Sequence, residues 1–117
     1  MKLYDSELKV FDILWANGDT TAKKLSEILS EQVDWRKTTT YTVIKKCVDK
    51  GVVERQEPNF VCRARISREQ AQEMQTTELI NKMYGGMSDQ LVASILWRKD
   101  LSAEEIQRLK DLITNLS

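Results

Sequence analysis

WRKTTTYTVIKKCVDKG, residues 35–51, decides how the rest of this chain is read. Wound as a helix at about 100° per residue, it has two unlike faces. Thr38, Thr39, Thr42, Lys45, Lys46 and Asp49 share one arc of about 120°. Thr40, Val43, Ile44, Cys47 and Val48 share the other side. The apolar side is an ordinary buried face. The polar side has hydroxyls at its N-terminal end, then lysines, and a single acid. Hydroxyls meet base edges or phosphates, and lysines meet phosphates or guanine, so this face suits the DNA major groove. A solvated helix face has the same composition. The surrounding chain must separate the two readings.

Upstream, residues 5–17 form a helix pattern in which Leu8, Phe11, Leu14 and Trp15 make an apolar stripe, with Val10 beside it. Ser6 is an expected N-cap, Glu7 belongs in the first turn, and Asn17-Gly18-Asp19 ends the run. Thr20 or Thr21 caps a second helix from Ala22 to about Ser30, with Leu25, Ile28 and Leu29 on its apolar side. Glu31 to Asp34 links it to Trp35, which reads as a core anchor rather than a base-stacking platform. Two helices feeding a third with a polar reading face fit a helix-turn-helix.

Downstream, Gly51 closes the third helix. Val52-Val53-Glu54-Arg55 and Phe60 to Ile66 then read as strands around the turn Glu57-Pro58-Asn59. Phe60, Cys62, Ala64 and Ile66 alternate with Val61, Arg63 and Arg65. The fold class is therefore mostly α with a small β-hairpin wing: a winged helix over residues 1–66. Arg55, Arg63 and Arg65 are candidate phosphate contacts, because guanidinium matches phosphate geometry. Solubility charges on an edge strand are the alternative for Arg63 and Arg65. The expected DNA face is Arg36, Lys37, Thr38, Thr39, Thr42, Lys45, Lys46 and Arg55.

Residues 67–117 are expected to form a helical dimerisation module. Ser67 and Gln70 make a capping box for a helix reaching Tyr84, and Gly85-Gly86 breaks it. Ser88 is an expected cap for an apolar helix over residues 89–97. Ser102 and Glu105 make another capping box, with Leu101 and Ile106 as a hydrophobic staple. Met83, Leu91, Val92, Ile95, Leu96, Ile106, Leu109, Leu112, Ile113 and Leu116 are more large apolar side chains than such short helices bury alone. Self-association answers this surplus, as does a bundle packed back on the wing.

Charge is distributed in the same sense. The 117 residues carry 18 basic and 18 acidic side chains, so bulk charge does not indicate a polyanionic partner. From Arg36 to Arg65, however, there are 8 basic and 3 acidic side chains, a net of +5. Residues 67–117 hold 6 basic and 8 acidic, a net of −2. The chain has no histidine and only two cysteines, Cys47 and Cys62, at apolar positions. That points to reduced, buried thiols and away from a metal centre or cofactor. No GxGxxG, P-loop or HExxH occurs, and Ser94 has no evident base, so no catalytic residue is expected. With no signal-like segment before Asp5 and no apolar run near 18 residues, a soluble cytoplasmic protein is expected.

In order and spacing, the chain resembles the BlaI/MecI penicillinase-repressor family. The resemblance begins with Glu7, Val10, Leu14 and Trp15, the Gly18 turn and Thr21-Ala22. It continues through Trp35, Thr39, Thr42, Lys46, Lys50 and Gly51, then Gly85-Gly86 and Leu91-Val92. It ends with Leu101-Ser102, Glu105-Ile106 and Leu109. The resemblance implies a winged-helix repressor that binds double-stranded DNA at an inverted-repeat operator as a homodimer. Its best-known members control beta-lactamase and resistance genes, with a membrane sensor-protease as partner. It also implies reading roles for Thr39 and Thr42 and a backbone role for Lys46.

Two departures stand out. The family has a small polar helix cap after the tryptophan, where this chain has Arg36. Asp34 or Thr38 is then the expected cap, or Arg36 adds a phosphate contact. The family's inducing cleavage falls at an Asn-Phe bond, whose equivalent here is Ser94-Ile95. The run from Thr38 to Thr42 and the stretch from Glu57 to Cys62 resemble a subgroup common in clostridia-like bacteria, whose targets need not be resistance genes. A winged helix used only for protein interaction is the competing class.

Overall fold

A computed structural model describes residues 1–116. Ser117, the end of the expected C-terminal module, lies outside the described residues. The elements run α1 (Asp5–Asn17), β1 (Thr20–Thr21), α2 (Ala22–Val33), α3 (Lys37–Asp49), β2 (Val53–Gln56), β3 (Val61–Ala64), α4 (Arg68–Met83), α5 (Ser88–Leu96) and α6 (Ala103–Asn115). They form two compact units that divide between Glu78 and Leu79, inside α4.

In the first unit, α1, α2 and α3 close over a three-stranded antiparallel sheet of order β1-β3-β2. The core is Val10, Phe11 and Leu14 from α1, Leu25 and Leu29 from α2, Ile44 and Cys47 from α3, and Val53 and Cys62 from the wing. The apolar stripes read from helical spacing face this core, with Leu8, Trp15 and Ile28 only partly buried against it, and Ile13 and Ala22 are buried besides. The short strand β1 was not anticipated. Two threonines carry too little alternation to register as a strand, but Thr20 and Thr21 pair with Cys62 and Val61 and make β3 the central strand.

Helix ends revise two capping expectations and decide a third between its alternatives. Tyr4, in extended backbone, holds the N-cap position of α1, and its N–H donates to the Glu7 carboxylate at 2.9 Å. Ser6 lies inside the helix. At α2 the cap is Thr21, whose hydroxyl accepts the Lys24 N–H at 3.1 Å. Asp34 does not cap α3. It closes α2 in the left-handed region at φ 59°, its N–H donating to Ser30 O at 3.1 Å. Arg36 takes the N-cap position of α3 with no side-chain cap. Trp35 packs half-buried against the core, as an anchor does.

The start of α4 belongs to the first unit. The Ser67–Gln70 capping box is formed, with hydrogen bonds of 2.8 and 3.0 Å. Ala71 is buried, Trp15 Nε1 donates to Ile66 O at 3.0 Å, and the Arg68 guanidinium lies over the Trp15 ring. These contacts explain why the unit boundary falls beyond Ser67.

The second unit holds the end of α4, α5 and α6. Met87, not Ser88, takes the N-cap position of α5, without a side-chain cap. Ser102 and Glu105 form their reciprocal box at the start of α6. Neither α5 nor α6 has a buried residue. Met83, Val92, Leu96, Leu112, Ile113 and Leu116 are exposed, and Trp97 is 81% exposed.

Candidate nucleic-acid interface

Helix α3 presents Thr38, Thr39, Thr42, Lys45 and Lys46 to solvent on one face, with Arg36 and Lys37 exposed at its start. On the opposite side Thr40, Val43, Ile44 and Cys47 are buried. The face is set by the core: with those four positions inside, the hydroxyls and lysines have only one place to go.

Its donors are not equivalent. The Thr42 hydroxyl donates to Thr38 O at 2.8 Å. Its proton is committed, so outward it presents oxygen lone pairs and a methyl group. Lys45 Nζ pairs with Asp49 at 3.1 Å one turn on. Lys46 has no ion-pair partner among the described residues.

The wing adds a cation beside the helix. By register, Val53, Arg55, Cys62 and Ala64 share one face of the hairpin, and Glu54 and Arg63 share the other. Arg55 therefore lies on the helix side, where Tyr41, Lys45, Val48, Arg55 and Phe60 line a cleft of about 270 Å³. Its guanidinium sits 3.7 Å from the Phe60 ring centre and its Nε donates to Glu57. That hydrogen bond holds the Glu57 carboxyl below its usual range. Arg63 faces the other way, opposite Glu54, and Arg65 is exposed beyond the end of β3. The three wing arginines thus do not converge. Arg55 joins the α3 face; Arg63 and Arg65 do not.

Two features escaped the sequence. Tyr41 stands in the cleft rather than in the deep core, its ring edge-on to Phe60. Only the spacing of Lys37 and Tyr41, four apart, hinted at a contact. The other is a buried ion pair. Glu7 is fully buried, and its carboxylate takes Lys50 Nζ at 2.7 Å, tying the start of α1 to the end of α3. Cys47 lies beside it, Sγ 3.9 Å from Glu7. Burial first, and then the Glu7 charge, push this thiol up to about 12, and burial pushes Cys62 up to about 11. Both thiols are free, buried and poorly nucleophilic.

The sequence model of the family described as penicillinase repressor matches residues 3–115. The chain belongs to the penicillinase-repressor family. This is a family of transcriptional repressors, not enzymes. The methicillin resistance regulatory protein MecI of Staphylococcus aureus strain N315 is 26% identical over 114 residues, spanning 96% of this chain and 93% of that protein. The penicillinase repressor of Bacillus licheniformis is 24% identical over 114 residues, spanning 96% and 89%. The solution structure of monomeric Bacillus licheniformis BlaI in complex with the blaP half-operator is similar in fold. It superposes with a TM-score of 0.52 at 21% identity, over 60% of this chain and 88% of that one. No described helix is long and apolar enough to cross a membrane.

Proposed function

We propose that this penicillinase-repressor family member is a cytoplasmic, dimeric repressor whose α3 face reads an interrupted inverted repeat. The observation that carries this is the single exposed face of Thr38, Thr39, Thr42, Lys45 and Lys46, with Arg55 beside it across the cleft. Lys46, Lys37 and Arg36 neutralise phosphates, and Thr39 and Thr42 meet base edges. Because Thr42 has spent its proton on Thr38 O, it pairs with a base-edge donor or a thymine methyl, not an acceptor. Arg63 and Arg65, on the other side of the wing, contribute to the long-range field rather than to the same contact set.

Self-association through the second unit is supported by its exposed apolar side chains, Met83, Val92, Leu96, Leu112, Ile113 and Leu116 among them. Half-buried Leu91 and Leu109 and the partly exposed Ile95 and Ile106 complete the expected surface. Two copies then place two reading helices about 34 Å apart, or a multiple of it, along the duplex.

Induction differs from the resistance-controlling members. Ser94 and Ile95, in place of the Asn-Phe bond, lie inside α5, where the Ser94 hydroxyl bonds Leu91 O at 2.9 Å and Tyr84 at 3.0 Å. A membrane sensor-protease of Asn-Phe specificity finds neither its residues nor an open chain here, so another signal releases the repressor.

The experiment is a fluorescence-anisotropy titration of duplexes from upstream of the protein's own gene and of random duplexes, at several salt concentrations, with sedimentation in parallel. Sequence-selective binding by a dimer is expected. Weak, sequence-independent binding favours a protein-interaction module instead. A strictly monomeric particle overturns the operator geometry. Intact masses after cell-wall antibiotic treatment test induction: fragments meeting at Ser94 and Ile95 under derepression refute it.

A further inference from the structure

Four side chains run in an unbroken line from the first turn of α3 to the wing. Lys37 Nζ lies 5.6 Å from the Tyr41 ring centre. Tyr41 meets Phe60 edge-on, centres 5.7 Å apart at 88°. Phe60 in turn carries the Arg55 guanidinium at 3.7 Å. Both rings are half-buried and pack against the core. Phe60 also holds a left-handed backbone, φ 52°, directly after Asn59 at φ 73°. An aromatic residue takes that conformation at a cost, and keeps it only where its surroundings over-determine it. Glu57 contributes to that setting, accepting both Arg55 Nε and the Phe60 N–H.

We propose that Tyr41 and Phe60 are positioning residues, joining the helix cation Lys37 to the wing cation Arg55 so that both engage the DNA backbone as one unit. The inference rests on the reading of α3 and the wing as the DNA face. Lysine and arginine side chains lose considerable rotamer freedom on binding. Resting each on a ring face restricts it beforehand, and the edge-to-face ring contact fixes one ring relative to the other. Fixing one cation on DNA therefore favours the pose that the other needs.

The test is a double-mutant cycle on DNA affinity, using a duplex from upstream of the protein's own gene. Lys37→Ala, Arg55→Ala and the double variant are titrated in the native chain and again in a Tyr41→Leu background. In the native chain the double variant is expected to lose affinity about threefold less than the product of the single losses. In Tyr41→Leu the two losses should simply multiply, and Tyr41→Phe, which keeps the ring, should restore the coupling. Phe60→Leu cuts the same line from the wing side and should also abolish it, so one poorly folding variant does not decide the result. Thermal melts identify the folded variants. Multiplicative losses in the native chain overturn the coupling but leave the DNA face standing. No loss from either single variant overturns the DNA face and the coupling together.

Discussion

Glu7 and Lys50 should not be equally replaceable, although each is half of the same pair. The Glu7 side chain is 1% exposed and that of Lys50 is 27% exposed. Removing Lys50 strands a carboxylate with no route to water. Removing the Glu7 charge leaves an ammonium that can turn outward. Lys50 also donates to Lys2 O at 3.0 Å and lies over the Tyr4 ring at 4.8 Å, so it holds the segment before α1 in place. Lys50→Met should therefore cost about 3–5 kcal/mol, the range for breaking a buried pair from one side. Glu7→Gln keeps an acceptor for the Tyr4 N–H and loses one charge-assisted bond, about 1.5–3 kcal/mol. The double variant Glu7→Gln/Lys50→Met should be more stable than Lys50→Met alone, since no charge is left unpaired. Urea titration followed by circular dichroism, at one fixed protein concentration, measures all three. Hydrogen exchange should show faster exchange at the start of α1 in Lys50→Met. If Glu7→Gln proves the more damaging single change, or if Lys50→Met falls within about 1 kcal/mol of the native chain, the burial argument fails.

Lys46→Ala should weaken binding to selected and random DNA alike and lower the salt slope by about one unit. Thr42→Ala should instead cost discrimination, roughly 1 kcal/mol or more, in competition titrations. The Thr40 hydroxyl is buried without a partner among the described residues, so Thr40→Val should gain about 1 kcal/mol of stability. A lower melting temperature would show the hydroxyl to be satisfied. Glu57→Gln frees Arg55 from its carboxylate and should steepen the salt dependence of random-DNA binding by up to about one unit. An unchanged slope would show that Arg55 stays out of contact. Each thiol has its folded pKa raised above the ordinary 9.0, so the unfolded chain ionises first and stability should fall as pH rises from there toward about 11 and 12. Cys47→Ala should flatten part of that fall in alkaline denaturation curves.

The fold could be read because burial here follows helical and strand periodicity. Thr40, Val43, Ile44 and Cys47 recur at helical spacing and all four are inside, which fixes the exposed face of α3 without any knowledge of its neighbours. The capping boxes at Ser67 and Ser102 could be read for the same reason, since each is closed within one turn. What could not be read depends on partners distant in sequence. Asp34 is a good N-cap by type, yet α2 runs on to Val33 and uses it as a left-handed stop. Alternation sets Arg63 and Arg65 apart from the apolar face of their strand, but only the pairing register puts Arg55 beside α3 and Arg63 on the far side. By sequence, Glu7 is an acid in the first turn of α1 and Lys50 a lysine before Gly51, with nothing to pair them. Nothing local brings together two residues 43 positions apart.

The charge count also looks different once the pairs are known. Of the 8 basic residues between Arg36 and Arg65, Lys50 is neutralised by Glu7 from outside that window. Lys45 and Arg55 carry Asp49 and Glu57. These last two pairs are exposed and screened by solvent, and can be exchanged for phosphate at little cost. The Lys50 pair is buried at its carboxylate end and is not exchangeable in this way. Lys50 thus belongs to the fold, Lys45 and Arg55 are held in reserve, and Arg36, Lys37 and Lys46 remain as immediately available cations on α3. Three such charges, with Arg63 and Arg65 turned elsewhere, make a modest electrostatic footprint for a single copy. In the proposed dimer, linking two copies raises that affinity, because the second contact is made at high effective concentration. On this reading the exposed apolar surface of α5 and α6 sets affinity as much as α3 does, and a signal that loosens it would release the operator without touching a DNA contact.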